Sequence, residues 1–179
     1  TNGLATINVD TGKTGTFSET VKATTITLTG DGVFKKAVTG TTIALVAGKA
    51  TFQNTTAVAT DAAITETSGT TELAVLNSAD TEAPSVATFN GAITVDTITI
   101  GATNTGGSAK MTSTSAGSVA LHGGNHANED SVFETSSTHT GAIAVAAAGD
   151  GEATLKLSGA TPEVIGAVTS ASDGQGVVV

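Results

Sequence analysis

The sequence predicts an all-β fold, a parallel β-solenoid with rungs of roughly 17–22 residues. Three observations lead there. Thr, Val and Ile, whose branched side chains favour strands, are abundant, and no long Leu/Glu/Lys helical pattern is present. The five Phe residues fall at intervals of one or two rungs. The residues that follow three of those Phe repeat at fixed distances.

The intervals come first. Phe17 to Phe34 is 17 residues and Phe34 to Phe52 is 18. Phe52 to Phe89 is 37 and Phe89 to Phe133 is 44, each about two rungs. Met111 stands where a Phe would fall between Phe89 and Phe133, and Leu155 stands one rung after Phe133. Phe17, Phe34, Phe52, Phe89, Met111, Phe133 and Leu155 are therefore expected to form one internal ladder.

Position 4 after Phe17, Phe34 and Phe89 is Val21, Val38 and Ile93. Positions 9 and 11 are Ile26/Leu28, Ile43/Leu45 and Ile98/Ile100. The last pairs alternate with Thr or Ala, the period-2 pattern of a half-buried strand. Gly30-Asp31-Gly32, Gly149-Asp150-Gly151 and Asp173-Gly174 carry turn chemistry. Leu73–Val86 fits the pattern worst and reads as a variant unit, and Ile7-Asn8-Val9 reads as the second strand of a truncated first one. A unit of about 20 residues cannot bury its own apolar face, so neighbours must stack. A β-sandwich also satisfies regularly spaced strands and turns and is the alternative architecture.

One continuous solenoid segment, 1–179, is expected, with a loop inserted at 122–130. The chain opens without Met and closes on Val177-Val178-Val179, which reads as a strand, so it is expected to be part of a longer polypeptide.

Composition excludes several functions. Net charge is −9, all seven basic residues are Lys, and no basic stripe exists to neutralise phosphates, so no nucleic-acid partner is expected. No Cys is present, which removes disulfides and thiolate metal sites. The apolar runs are short, so no transmembrane segment is expected.

An enzyme is not expected. No Gly-x-Ser-x-Gly elbow occurs, the carboxylates are scattered, and Arg, Tyr and Trp are absent. The richest polar cluster is His122-Gly123-Gly124-Asn125-His126-Ala127-Asn128-Glu129-Asp130. His122, His126, Glu129 and Asp130 are its candidate metal ligands. The two Gly argue for a solvated loop rather than the helix on which an i,i+4 His pair works. Calcium is the cofactor to weigh, but the Asp-Gly turns are isolated and form no tandem calcium-binding repeat, so the expectation is no cofactor. Thr25/Thr27 and Thr97/Thr99 repeat a Thr-x-Thr pattern of the kind ice-binding solenoids present, though Thr42/Ala44 interrupts it. Asn54-Thr55-Thr56 is an N-glycosylation sequon and reads as incidental.

The units Ala23–Phe34 and Phe89–Ile100 resemble the degenerate repeats of large bacterial surface proteins, the autotransporter passenger domains and giant secreted adhesins. That resemblance implies a parallel β-helix at the cell surface with a structural or adhesive role. It also implies partners that are copies of the chain, its own continuation, or surface glycans. The alternatives are a glycan- or ice-binding module and a pilin-like subunit that exchanges a strand.

Overall fold

The computed structural model describes residues 4–77, 85–147, 150–170 and 176–178. It is a parallel β-solenoid of about seven turns. The first turn is β1 (Leu4–Val9) and β2 (Thr14–Phe17), and the second is β3 (Val21–Leu28) and β4 (Asp31–Phe34). The third is β5 (Val38–Val46), β6 (Lys49–Phe52) and β7 (Val58–Thr60). The fourth is β8 (Ala63–Ser68), β9 (Glu72–Val75) and β10 (Val86–Phe89), and the fifth is β11 (Ile93–Ile100) and β12 (Gly107–Met111). The sixth is β13 (Ser115–Gly123) and β14 (Ser131–Thr135). The seventh is β15 (Thr138–Thr140), β16 (Ile143–Ala147) and β17 (Ala153–Leu157), followed by β18 (Glu163–Ile165), β19 (Val168–Ser170) and β20 (Gly176–Val178).

Each strand pairs in parallel with its counterpart one turn on, and the register defines columns of side chains along the axis. One column runs Ile7–Ile26–Ile43–Ile64–Ile93–Ser115–His139–Val164. A second runs Gly15–Gly32–Ala50–Leu73–Ile98–Val119–Ile143–Val168. Beside it stands Phe17–Phe34–Phe52–Val75–Ile100–Leu121–Val145–Ser170. The last two columns compensate each other. Where one carries Phe, its neighbour carries Gly or Ala; where Phe gives way to Val, Ile or Leu, the neighbour becomes Leu, Ile or Val. Side-chain volume per turn is thereby held steady, as a close-packed interior requires. A Cβ on Gly32 would stand 2.8 Å from a Leu28 methyl, which is why glycine occupies that inward position.

The expected single ladder resolves into three columns. Phe17, Phe34 and Phe52 do stack, with ring centroids 5.0 and 5.2 Å apart. Phe89 and Met111 lie in a different column, Thr60–Phe89–Met111–Thr135–Leu157. Phe133 and Leu155 lie in a third, Val58–Ala87–Ala109–Phe133–Leu155–Val178. The cause is an added sheet. From β7 onward each turn contributes a further strand, giving the stack β7-β10-β12-β14-β17-β20. Phe89 reaches across the interior and meets Phe52 edge-on at 4.9 Å, so the aromatic packing continues although the column changes.

The turns lengthen for the same reason. Ile26 and Ile43 are 17 residues apart, whereas Ser115 and His139 are 24 apart and His139 and Val164 are 25 apart, beyond the rung length expected from the Phe spacing. The corner before the added sheet carries loops, including the one at 124–130. His122 and Gly123 were expected in that loop, but they complete β13, in register with Ala146 and Ala147. Asp173 and Gly174, expected as a turn, lie outside the described residues, as does Gly149.

Candidate functional site

The loop at 124–130 is closed by its own backbone. The Gly124 N–H donates to the Glu129 carbonyl at 2.9 Å, and the Glu129 N–H donates to the His126 carbonyl at 2.9 Å. The Glu129 side chain turns inward, fully buried, and one carboxylate oxygen accepts the His126 N–H at 3.0 Å. Its other oxygen is buried without a hydrogen-bond partner. Neighbouring turns stack on this loop. The Asn125 amide donates to Asn104 Oδ1 at 2.7 Å, and the Glu152 N–H donates to Asp130 Oδ1 at 2.8 Å.

The four candidate ligands do not converge. His126 is exposed at the loop tip, Glu129 points inward, Asp130 is engaged with Glu152, and His122 lies on β13. Among the described residues, no group of three or more His, Cys, Asp and Glu side chains is placed to hold a metal ion.

A second feature is a groove of about 460 Å³ lined by Asp31, Lys49, Glu72, Thr71, Thr97 and Thr99, among others. Lys49 donates to Glu72 at 3.0 Å across one turn. The groove sits where the chain of the fourth turn is longer: Leu73 follows Ile64 by nine positions, whereas Ile98 follows Ile93 by five in the fifth turn. The surplus forms a ledge at 66–71. Asp96 pins it by accepting from both the N–H and the hydroxyl of Thr71, at 2.8 and 3.3 Å.

The two Thr-x-Thr pairs do not form a common array. Thr25 and Thr27 are in register with Thr42 and Ala44, whereas Thr97 and Thr99 are in register with Glu72 and Ala74. Asn54, the sequon residue, is buried and belongs to an internal polar ladder. Asn77 Nδ2 donates to Asn54 Oδ1 at 3.2 Å, and Asn77 Oδ1 accepts the Ser108 N–H at 2.8 Å. Asn77 Nδ2 also donates to the Ser85 and Ser108 carbonyls.

Two further groups are absent from the sequence reading. On the added sheet, Glu134 sits between Lys110 and Lys156 in register, at 2.8 and 3.2 Å, and accepts from Ser158 Oγ at 2.6 Å. Partial burial pushes this carboxyl up, but the hydrogen bonds from Lys110, Ser158 and Lys156 and the Lys110 charge outweigh it and bring the pKa down to about 2. The spacing of 24 and 22 residues between alternating charges matches the rung and is the signal that could have revealed this ladder. The other is His139, fully buried in the first column between Ser115 and Val164. Its signal is faint: alternation within Thr138-His139-Thr140 turns the ring inward.

No family model, curated protein or solved structure matches this chain. Among the described residues, the exposed large hydrophobics are Leu157, Ile165 and Val168, at 37%, 51% and 43%, all in the last turns. At the opposite end, Ile7, Phe17 and Val21 line a hollow of about 570 Å³ together with Ser18, Glu19 and Lys22.

Proposed function

We propose that the chain is a structural and adhesive module of an extracellular bacterial surface protein, a rigid rod that extends by strand stacking at its ends. The observation that carries this reading is the uncovered apolar end. The inward column of Ile98, Val119 and Ile143 reaches Val168, which is exposed where one more turn would bury it as those residues are buried. The cell-surface placement rests on the resemblance of the Ala23–Phe34 and Phe89–Ile100 units to surface-protein repeats. Analytical ultracentrifugation with electron microscopy tests the assembly. Rods that lengthen with concentration are expected, with lengthening suppressed by Val168→Lys. A monomer at every concentration would overturn stacking between copies.

Glycan binding is a second reading, favoured by the groove between Asp31, Lys49, Glu72 and the Thr hydroxyls. These groups offer hydrogen-bond donors and acceptors to a polyhydroxylated chain, without an aromatic platform for its sugar rings. A glycan array with wild type and Asp31→Asn/Glu72→Gln tests it. Signals lost in the variant support the groove, and a blank array overturns it.

A further inference from the structure

The interior of the last turns contains a titratable ring with nowhere to put a second proton. His139 is fully buried, and its Nδ1 stands 2.9 Å from Ser115 Oγ. Its Nε2 is buried with no hydrogen-bond partner. The Phe133 ring packs edge-on against the imidazole at 5.3 Å. We propose that His139 is an acid-operated release for the C-terminal turns of the rod, filling its column as a neutral ring and breaking the β13–β15–β18 pairing when it is protonated.

The surroundings offer the imidazolium no compensation. β13 presents Ser115, and no charged residue lies between Ser115 and Leu121. β18 presents Val164 in register, while its Glu163 pairs with Thr138 and is exposed. β14 presents Phe133, and the adjacent Glu134 is held outward by Lys110 and Lys156. On β15 itself the neighbours are Thr138 and Thr140. A charge here would be buried, unpaired and short of one acceptor, the arrangement that costs most in an interior. Burial accordingly pushes the His139 pKa down from its ordinary value.

The direction of the response follows from linkage. A histidine whose folded pKa is depressed binds fewer protons folded than unfolded, so stability is fully present above the ordinary imidazole value of about 6.5 and is lost as pH falls below it. The loss should start where the ring is. β15 and β18 are short strands of the final turns, and the apolar side chains Ile165 and Val168 beside them are exposed. The N-terminal turns contain no histidine among positions 4–77.

Hydrogen exchange read by mass spectrometry, corrected for intrinsic rates, provides the test at about pH 7.5 and about pH 5, values that bracket the free-imidazole pKa. The expected result is a selective loss of protection in β15 and β18 in wild type, as follows when the folded ring binds its proton more weakly than the unfolded one. β3 to β5 should keep their protection. His139→Asn retains a polar partner for Ser115 and cannot titrate in this range, and it should show no such selective loss. Equal loss in both proteins would overturn the proposal. Should His139→Asn fail to fold, the imidazole titration of the wild-type protein by NMR decides. A midpoint well below 6.5 upholds the proposal, and the midpoint of a free imidazole overturns it.

Discussion

The two ends of the solenoid meet the same packing requirement differently. In the turns from β1 to β6, one large ring per turn, stacked as Phe17–Phe34–Phe52, fills a narrow cross-section beside Gly15, Gly32 and Ala50. In the turns from β12 to β18 the Phe column has become Leu121 and Val145, the chain per turn is longer, and the added sheet closes a wider interior. The wider interior also admits polar groups. Ser115, Ser131, Thr135 and His139 are all buried there, while the buried side chains of β3 to β5 are apolar. A solenoid can thus hold its rise per turn and still exchange side-chain volume for chain length. The exchange gives the N-terminal turns a dry stack and the C-terminal turns a core that responds to its solvent.

The contrast is broken most directly by Phe34→Ala. Phe34 is fully buried with rings above and below it, and a neighbour would have to shift to fill the space it leaves. A loss of about 3–5 kcal/mol is expected, the range for deleting a core Phe. Chemical denaturation measures it. The equivalent position two turns beyond Phe52 is Ile100, and Ile100→Val should cost only about 0.5–1.5 kcal/mol.

The transition between the regimes lies around Asn54 and Asn77, and Asn77→Ala tests it. The side chain satisfies the Ser108 N–H and Asn54 Oδ1 in the interior, and truncation leaves both without that partner. An unmet buried polar group costs about 1–3 kcal/mol, so the variant should be less damaged than Phe34→Ala. Exchange protection should fall in β10 and β12 rather than in β3. Uniform loss along the rod would show that the two regimes unfold as one unit.

That junction is also where the sequence ceases to be legible. Val21/Val38, Ile26/Ile43 and Leu28/Leu45 stack just as their common offsets from Phe17 and Phe34 imply. Ile98 shares the offset of Ile26 and Ile43, yet it stacks on Leu73 and Val119 in another column. Ile93, which should match Val38, continues the Ile26–Ile43–Ile64 column instead. The repeat in the sequence is real, but the strand gained between Phe52 and Phe89 shifts its phase, and no local pattern announces an extra strand. The polar cluster at 122–130 misled for a related reason. Its composition announces a loop, whereas strand register alone decides that His122 belongs to β13 and that Glu129 turns inward. His139 was hidden because burial of a lone histidine between two threonines depends on what stacks above and below it.

The smallest expected effect concerns the outer face of the C-terminal turns, through Glu134→Gln. Lys110 and Lys156 are partly exposed partners, at 37% and 49%, and exposed ion pairs contribute at most about 1 kcal/mol each. The variant should therefore lose about 1 kcal/mol near neutral pH, far less than Phe34→Ala. Its pH dependence is more diagnostic than its size. The folded pKa of Glu134, about 2, lies below the unfolded value near 4.5, so the folded chain binds fewer protons between them. The stabilisation is present above about pH 4.5 and is lost as pH falls toward 2. This window opens near 4.5, below the ordinary imidazole value of about 6.5 at which the His139 window opens, so an acid titration of thermal stability should begin to fall at an upper stage set by His139 and fall further at a lower one set by Glu134. His139→Asn should remove the upper stage and Glu134→Gln should reduce the lower one, with each variant leaving the other stage in place. A single stage that both variants flatten together would show that the buried ring and the surface ion ladder respond as one cooperative unit, and that the wider turns are no more divisible than the narrow ones.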